Sequence, residues 1–196
     1  MRPLLRISIA LLAVVIGACT SSRPTLVALP AAAHSVASNG DDQSSASTVL
    51  LRRVVMPGYL DDYPIVVGRS GNTLIVSKDT EWAERFSDAA ARVLRDAMSR
   101  RLGAPRVLIA GDGRIPDADL TVEFLALDPQ QGVMRMDAKW SFSCNAPEQR
   151  GNAGRTVLEV PLGGSTATAV ASATSDALGR LAAVLAVQAE CVSTAS

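Results

Sequence analysis

A cysteine close to the start of the chain has the surroundings that lipid attachment requires. Cys19 follows the small pair Gly17–Ala18, and before them come two arginines and an apolar run from Ile7 to Ile16. This run is shorter than the ~20 residues that span a bilayer, so it has the form of a signal that is cleaved. The small pair suits the cleavage, and the thiol can take up a diacylglycerol. The sequence predicts a bacterial lipoprotein signal peptide over residues 1–18.

Acyl chains on Cys19, palmitate among them, would hold the mature protein to a membrane, because each buried methylene contributes about 0.8 kcal/mol. Residues 19–24 then form a short lipidated tether. The alternative is an ordinary secretory signal in which the cysteine occurs by chance. Beyond Cys19 the sequence has no apolar run of 18 residues, so the acyl anchor is the membrane attachment that the sequence supports.

The two remaining cysteines, Cys144 and Cys191, form an even pair in a chain destined for an oxidising compartment. A disulfide between them would close a loop of about 47 residues and stabilise the fold by about 4 kcal/mol in the chain-entropy account. The alternative is a pair of buried free thiols that act as small apolar groups.

The sequence lacks the sets of residues that enzyme catalysis needs. The only histidine, His34, lies in a stretch of small polar residues that we expect to be flexible. The segment Gly68–Gly71 breaks the nucleophile-elbow pattern at its last place and is better explained as a turn. The carboxylates of Asp61–Asp62 and of residues 112–119 have neither a paired-acid geometry nor calcium-loop spacing. The sequence therefore predicts a protein that is not an enzyme and that holds no metal or other cofactor.

Both tyrosines of the chain fall in one loop bounded by prolines, Met56–Pro64. Exposed aromatic side chains on loops are frequent anchors of protein interfaces. Tyr59, Leu60 and Tyr63 are therefore our candidate partner-binding residues. The alternative is that the rings fold back over the edge of a sheet.

The composition of the mature chain limits its partners and its size. Removal of Arg2 and Arg6 leaves a formal charge of about −2 on about 178 residues. Nucleic-acid binding needs a clustered basic surface, which this balance does not provide. The length suits a single domain, which we place at residues 25–192. Within it, residues 30–48 consist almost wholly of small and polar residues and are predicted to form a flexible loop.

Alternating or β-branched segments predict the strands that must position these residues. They lie at 25–29, 49–51, 54–56, 65–67, 73–76, 106–110, 120–126, 133–142 and 156–160, with a hairpin turn at 69–72 and a polar loop at 145–154.

Two helices are predicted between and after these strands. The first begins with Asp79 or Thr80 as its cap and ends at Arg100–Arg101, before Gly103. Its apolar stripe is made of Trp82, Phe86, Ala90, Val93 and Ala97. The second begins at Gly163–Ser165, and its inner face consists of Val170, Thr174, Ala177 or Leu178, Leu181, and Val184 or Leu185. Together the elements predict an α+β fold, a mixed or antiparallel sheet with two helices packed on one face, similar to the layers of the TolB N-terminal domain.

At the tyrosine loop and its neighbours the sequence resembles the ABC-type transport auxiliary lipoproteins, the PqiC-like family. The family pattern is a Val-x-x-Pro-x-Tyr-Leu-Asp run, an Ile-Val-x-Arg strand, an Asn-x-Leu turn and a Trp-Ala-Glu segment. It is met by Val54, Pro57, Tyr59, Leu60, Asp61, Ile65, Val66, Arg69, Asn72, Leu74, Trp82, Ala83 and Glu84. Gly68 and Arg85–Phe86 depart from the pattern.

The resemblance implies a non-enzymatic auxiliary component of an envelope lipid-transport system. Its partner would be an MCE-domain protein that bridges the periplasm, in many systems beside an ABC permease and ATPase. Thr20 is not the aspartate that retains lipoproteins at the inner membrane of enteric bacteria, so the expected location is the outer membrane, facing the periplasm. Self-association into a homo-oligomer stays open. The competing hypothesis is an assembly or ligand-binding lipoprotein of the TolB-like or pilotin-like kind, unconnected to lipid transport.

We predict that Cys19→Ala releases a soluble periplasmic protein with an unchanged fold, because the anchor precedes the first strand and contributes nothing to a core. Fractionation and metabolic labelling with a fatty acid measure this directly. Continued membrane retention of the unlabelled variant would contradict the assignment of Cys19 as the anchor.

Overall fold

A five-stranded mixed sheet with two helices on one of its faces organises the part of the chain that the computed structural model describes, residues 23–32, 48–102, 106–108, 110–146, 149–189 and 192–193. The strands are β1 (Thr25–Val27), β2 (Val49–Val55), β3 (Pro64–Ser70), β4 (Thr73–Trp82), β5 (Val107–Leu108), β6 (Ala118–Gln130), β7 (Val133–Cys144), β8 (Gln149–Arg150), β9 (Ala153–Pro161) and β10 (Val192–Ser193). The helices are α1 (Phe86–Leu102) and α2 (Ala167–Val187).

The strands of the large sheet are ordered β5-β2-β6-β7-β9. β2 runs parallel to β5 and β6, whereas β6, β7 and β9 form an antiparallel meander. A smaller sheet has the order β1-β4-β3, with β1 parallel to β4 and β3 antiparallel to it. β8 and β10 form a separate antiparallel pair. The predicted α+β class, with both helices on one sheet face, is confirmed.

The core lies between the large sheet and the helices. Alternate residues of β6 from Ala118 to Phe124 are buried beneath the helices, as are Met134, Met136 and Ala138 of β7. The alternation follows from the pleat, which turns successive side chains to opposite faces. A bulge in β6 between Phe124 and Ala126 shifts the pairing with β7 by one residue. Beyond it Leu127 joins the core, and the next residue, Asp128, is buried as well.

Helix α1 begins later than the sequence predicted. Residues 79–82 continue β4, because Thr80–Trp82 pair with β1 and the Trp82 N–H donates to the Tyr63 carbonyl at 2.7 Å. Asp79 and Thr80 are therefore not the helix cap. The acceptor at the helix start comes from far away in the sequence: the Asp61 carboxylate accepts the Ser87 N–H at 3.0 Å. The predicted stripe is buried, although Trp82 contributes to it from a strand and stacks on Phe86 with ring centroids 5.0 Å apart.

Helix α2 has Thr166 as its N-cap, with the hydroxyl accepting the Ala169 N–H, rather than the predicted glycines. The predicted inner face is buried at Val170, Thr174, Ala177, Leu178, Leu181 and Leu185, and Val184 is half-buried. This helix is long and apolar enough to cross a membrane by length and composition. Because most of it is covered by the sheet and by α1, we describe it as the core helix of the domain.

The start of the predicted flexible loop is ordered in the structure. Leu29 and Ala32 are buried, and Ala32 lies against Gly179 of α2, where a Cβ would come within 2.8 Å. The Pro30 carbonyl accepts the Ser175 hydroxyl at 2.7 Å. Residues 30–32 therefore pack against α2, and the flexibility of residues 30–48 stays a prediction. The rest of that stretch, including His34, lies outside the described residues except for Thr48.

The remaining strand predictions are confirmed with changed lengths. β6 extends to Gln130 and β7 to Cys144, since each pairs with the other over its whole length. The predicted hairpin turn lies at Gly71–Asn72, and Gly71 has the positive φ of 57° that such a turn needs. The predicted loop 145–154 instead contains β8 and the start of β9.

We predict that Trp82→Ala lowers the free energy of unfolding by about 3–5 kcal/mol, because it removes a buried ring and its stack on Phe86. Denaturant unfolding followed by circular dichroism measures the loss. Lys78→Ala, on an exposed position of the same strand, is the control and should stay within about 0.5 kcal/mol of the wild type. A loss below about 1 kcal/mol for Trp82→Ala would contradict the burial of this ring.

Candidate functional site

The loop between β2 and β3 contains the tyrosines singled out in the sequence, and a tight turn gives it its shape. The Pro57 carbonyl accepts the N–H groups of Leu60 at 2.9 Å and of Asp61 at 3.3 Å. The turn sends the three consecutive side chains 59–61 to three different neighbours. The loop therefore contacts the rest of the fold through each of these three side chains.

Tyr59 reaches a buried carboxylate on β6. Its hydroxyl donates to the two carboxylate oxygens of Asp128 at 3.1 and 3.2 Å. Arg69 of β3 approaches the same carboxylate, with Nη2 2.9 Å from Oδ2. The Arg69 guanidinium carbon also lies 5.6 Å from the centre of the Tyr59 ring. We call Tyr59, Arg69 and Asp128 the carboxylate cluster.

The electrostatics of the carboxylate cluster follow from the burial of Asp128, which is 2% exposed. A charge removed from water in this way needs an opposite charge and hydrogen bonds, and Arg69 and Tyr59 supply them. Burial and the neighbouring Asp128 carboxylate raise the pKa of the Tyr59 phenol. The hydroxyl therefore stays protonated and donates, which holds the loop to β6.

Leu60 and Asp61 are also used inside the fold. Leu60 is 7% exposed and belongs to the hydrophobic core, so it has no surface to offer a partner in this conformation. Asp61 supplies the acceptor at the start of α1. For these residues and for Tyr59, the structure favours the alternative in which the loop folds back onto the body. Tyr63 differs, because its side chain is 48% exposed, and it is the one candidate partner-binding residue that the structure leaves on the surface.

The other acidic residues considered in the sequence also have structural partners. Asp117 accepts the Thr48 N–H and hydroxyl at 2.7 and 2.8 Å, and Asp119 lies 2.7 Å from Arg52 Nε. Asp62 accepts the N–H of Tyr63. Within the described residues, no group of three or more His, Cys, Asp or Glu side chains is arranged to hold a metal ion. These carboxylates bond to backbone N–H groups, to a hydroxyl and to an arginine within the fold.

A groove of about 610 Å³ opens beside the carboxylate cluster, between the β3–β4 hairpin and the β6–β7 turn. Its walls are mostly apolar or glycine, and Arg69 is its cation; the lining includes Val67, Gly68, Ile75, Pro129 and Leu162. Arg69 is held by Asp128, so the groove presents a cation that is already neutralised. Neither this groove nor the role of Asp128 was predicted, because both depend on contacts between residues about 60 positions apart in the sequence.

Cys144 is disulfide-bonded. Cys191 and the lipid-anchor candidate Cys19 lie outside the described residues, so the pairing of Cys144 with Cys191 stays a prediction. The strand that follows Cys191, β10, pairs with β8 in the segment after Cys144. This brings the C-terminal strand to the end of β7 where Cys144 lies.

We predict that stability falls above pH 10 through Tyr59. Because the folded-state pKa of this phenol is raised, its contribution is complete below the ordinary value of about 10 and is lost as the pH rises through the folded pKa. Tyr59→Phe should therefore show a shallower loss of unfolding free energy than the wild type between pH 9 and 11. Tyr63→Phe, which changes the exposed tyrosine, is the control and should follow the wild type. Equal pH slopes for Tyr59→Phe and the wild type would contradict the role of Asp128.

Comparison with known proteins places these features in a family. Residues 28–186 match the model of the ABC-type transport auxiliary lipoprotein component. No curated protein matches the chain at a significant level. One solved structure, described as an uncharacterized protein, has a TM-score of 0.67 at 14% identity and covers 86% of this chain and 100% of its own.

A second solved structure is protein XCC0632 from Xanthomonas campestris, assigned to the family DUF330. It has a TM-score of 0.59 at 15% identity and covers 84% of this chain and 91% of its own. At these identities the two structures show a shared fold. The family match spans most of the chain and includes every motif residue on which the resemblance was based. The chain therefore belongs to the ABC-type transport auxiliary lipoprotein family.

Proposed function

We propose that this protein is the outer-membrane lipoprotein of an MCE-type envelope lipid-transport system and docks the periplasmic MCE-domain protein there. Its family is that of membrane-anchored auxiliary components of ABC-type transport systems. The observation that carries the more specific proposal is the combination of the family match over residues 28–186 with Cys19 and Thr20 directly after a short apolar signal.

The tether limits how far the folded body can lie from the membrane. Six Cα–Cα steps separate Cys19 from Thr25, which gives a reach of about 20 Å when extended. Because β1 is the first strand after the tether, it would lie within about this distance of the bilayer. Leu26 on β1 is 61% exposed, and Tyr63 is exposed beside the β3 strand of the same sheet.

Tyr63 is the residue that we propose for partner contact. The N–H of Tyr63 is fixed by the Asp62 carboxylate at 2.8 Å and its carbonyl by the Trp82 N–H at 2.7 Å. A side chain on an ordered backbone loses little entropy when it is covered, which favours it as an anchor. Tyr59 and Leu60 act indirectly in this proposal, since they hold the loop that presents Tyr63.

Four of the described acidic groups have partners within the fold. Asp61, Asp117, Asp119 and Asp128 are each engaged with backbone N–H groups, hydroxyls or arginines. Carboxylates held in this way stabilise the ends of elements or link neighbouring strands and loops. The proposal therefore assigns binding, and not turnover, to this subunit.

We predict that the tagged full-length lipoprotein fractionates with the outer membrane and co-purifies with an MCE-domain protein of the same cell. Tyr63→Ala should lower the recovered MCE-domain protein at least ~5-fold while the thermal midpoint stays within a few degrees, because the ring is exposed. Leu60→Ala should instead destabilise the body by about 2–5 kcal/mol.

Ser70→Ala, at an exposed position of β3, is the matched surface control and should keep wild-type recovery. Failure of the wild type to recover any MCE-domain protein after cross-linking would overturn the proposed function. Wild-type recovery with Tyr63→Ala would remove Tyr63 as the contact and leave the docking function intact.

A further inference from the structure

The end of the molecule that contains the β3–β4 turn is poor in charge. Three segments meet there around the groove of about 610 Å³: the β3–β4 hairpin, the β6–β7 turn and the loop between β9 and α2. We call residues 65–78, 129–134 and 160–167 the hairpin end. These segments contain no acidic residue, and their charged residues are Arg69 and Lys78. In a chain in which 19% of the residues are charged, the hairpin end is therefore an unusually neutral surface.

The hairpin also exposes large aliphatic side chains. Ile75 and Val76 on β4 are 49% and 46% exposed. Because successive side chains of a strand point to opposite faces, the hairpin is apolar on both of its faces near the turn. The turn residues 70–73 are exposed and carry hydroxyl and amide groups without charge. Apolar patches of this kind on a protein surface mark contacts with partners or with a membrane.

Contact with lipid would leave no unpaired charge near the turn. The Arg69 guanidinium is held by the buried Asp128 carboxylate at 2.9 Å. β3 and β4 pair as far as Ser70 and Thr73, so their inner peptide groups are bonded within the hairpin up to the turn. Groups that are already paired can lie beside lipid at a lower cost than free ones. Lys78 is exposed, and its long side chain can keep the ammonium group at the level of lipid phosphates.

The direction of β1 brings the anchor to the same end of the molecule. β1 runs parallel to β4, with Thr25 beside Thr80, so the chain enters β1 from the side of the hairpin turn. Cys19 lies six residues before Thr25, a reach of about 20 Å. The six residues of β4 from Thr80 back to Leu74 cover about the same distance. A membrane that holds acyl chains on Cys19 would thus lie within reach of the hairpin end.

We propose that the hairpin end rests on the membrane that holds the acyl anchor, with Ile75 and Val76 among the lipid headgroups and Lys78 beside their phosphates. This inference rests on the anchored state in the proposed function. The contact orients the body, because Tyr63 precedes β3 at the end of the strand that lies away from the turn. Tyr63 is then left free for a periplasmic partner.

Charge and position together favour lipid as the occupant of this surface. Anionic headgroups repel carboxylates and attract lysine, and the hairpin end has no carboxylate among its three segments and has Lys78 at its border. Binding at a lipid interface increases with the apolar area that is buried there, which Ile75 and Val76 supply. The tether length then brings this surface, rather than the far ends of the helices, to the bilayer.

Fluorescence quenching in the full-length lipoprotein tests the contact. The protein is reconstituted into vesicles of phosphatidylethanolamine and phosphatidylglycerol that contain lipids spin-labelled near the headgroup. A fluorophore on Val76→Cys should be quenched at least ~3-fold more strongly than one on Val187→Cys. Val187 is the matched control, because it is an exposed aliphatic residue at the last position of α2, about 30 Å along the helix from the groove. The wild-type chain gives the background labelling of its native cysteines.

A charge placed on the hairpin tests whether these side chains make the contact. With the fluorophore on Asn72→Cys at the turn, Val76→Asp should lower the quenching at least ~3-fold, because a carboxylate is repelled by anionic headgroups. Val187→Asp should leave the quenching within about 1.5-fold of its value without the substitution. Circular dichroism and thermal midpoints verify that each variant is folded.

A second arm separates this contact from the assignment of the anchor. The Cys19→Ala chain, with a hexahistidine tag inserted in the tether, is held on the same vesicles by a nickel-chelating lipid. Stronger quenching at Val76→Cys than at Val187→Cys in this arm supports the contact even if the wild type carries no acyl chain. Equal quenching at the two positions, or quenching at Asn72→Cys that Val76→Asp does not change, would overturn the proposal in either arm. Recovery of an MCE-domain protein bears on the docking function alone.

Discussion

The burial of the Asp128 carboxylate is the constraint that ties the two sheets of this protein together. An ionised group so far from water is stable only with a cation and hydrogen-bond donors in fixed places, and these come from Arg69 on β3 and Tyr59 on the preceding loop. The bulge in β6 after Phe124 shifts the pairing by one residue and so sets which side of the strand Asp128 occupies. If any of these elements moved, a charge would be left buried without its partner.

Much of the layer architecture could be predicted because it depends on local patterns. The alternation in β6 and β7 and the apolar stripe of α2 follow from side-chain periodicity, and the structure confirms them. The start of α1 could not be found in this way. Its acceptor is Asp61, which lies 26 residues before Ser87, and the pairing of residues 80–82 with β1 overrides the helical signals in that segment. Contacts with distant parts of the chain therefore determine both the start of α1 and the strand conformation of residues 80–82.

The sequence identified some residues of the site, and the structure shows that most of them contact the body of the protein. The sequence identified Tyr59, Leu60 and Arg69 as members of a motif, and their close association with the body explains why these residue types are needed there. Asp128 gave no signal, because an aspartate before a proline and a glutamine pair is typical of a turn. The strand β9 was predicted only at residues 156–160, because its extension to Ala153–Pro161 depends on its pairing with β7.

The position of β1 has a mechanical consequence for the proposed anchored state. If Cys19 carries the anchor, a pull between it and a bound partner enters the body through Thr25–Val27, the first strand after the tether. This strand is three residues long and joins β4 in parallel, and the Val27 carbonyl accepts the Ala83 N–H at 2.9 Å. Its few bonds are the first to carry the force. Leu29, two residues after β1, is packed in the core, so release of β1 would lengthen the tether and leave this core contact in place.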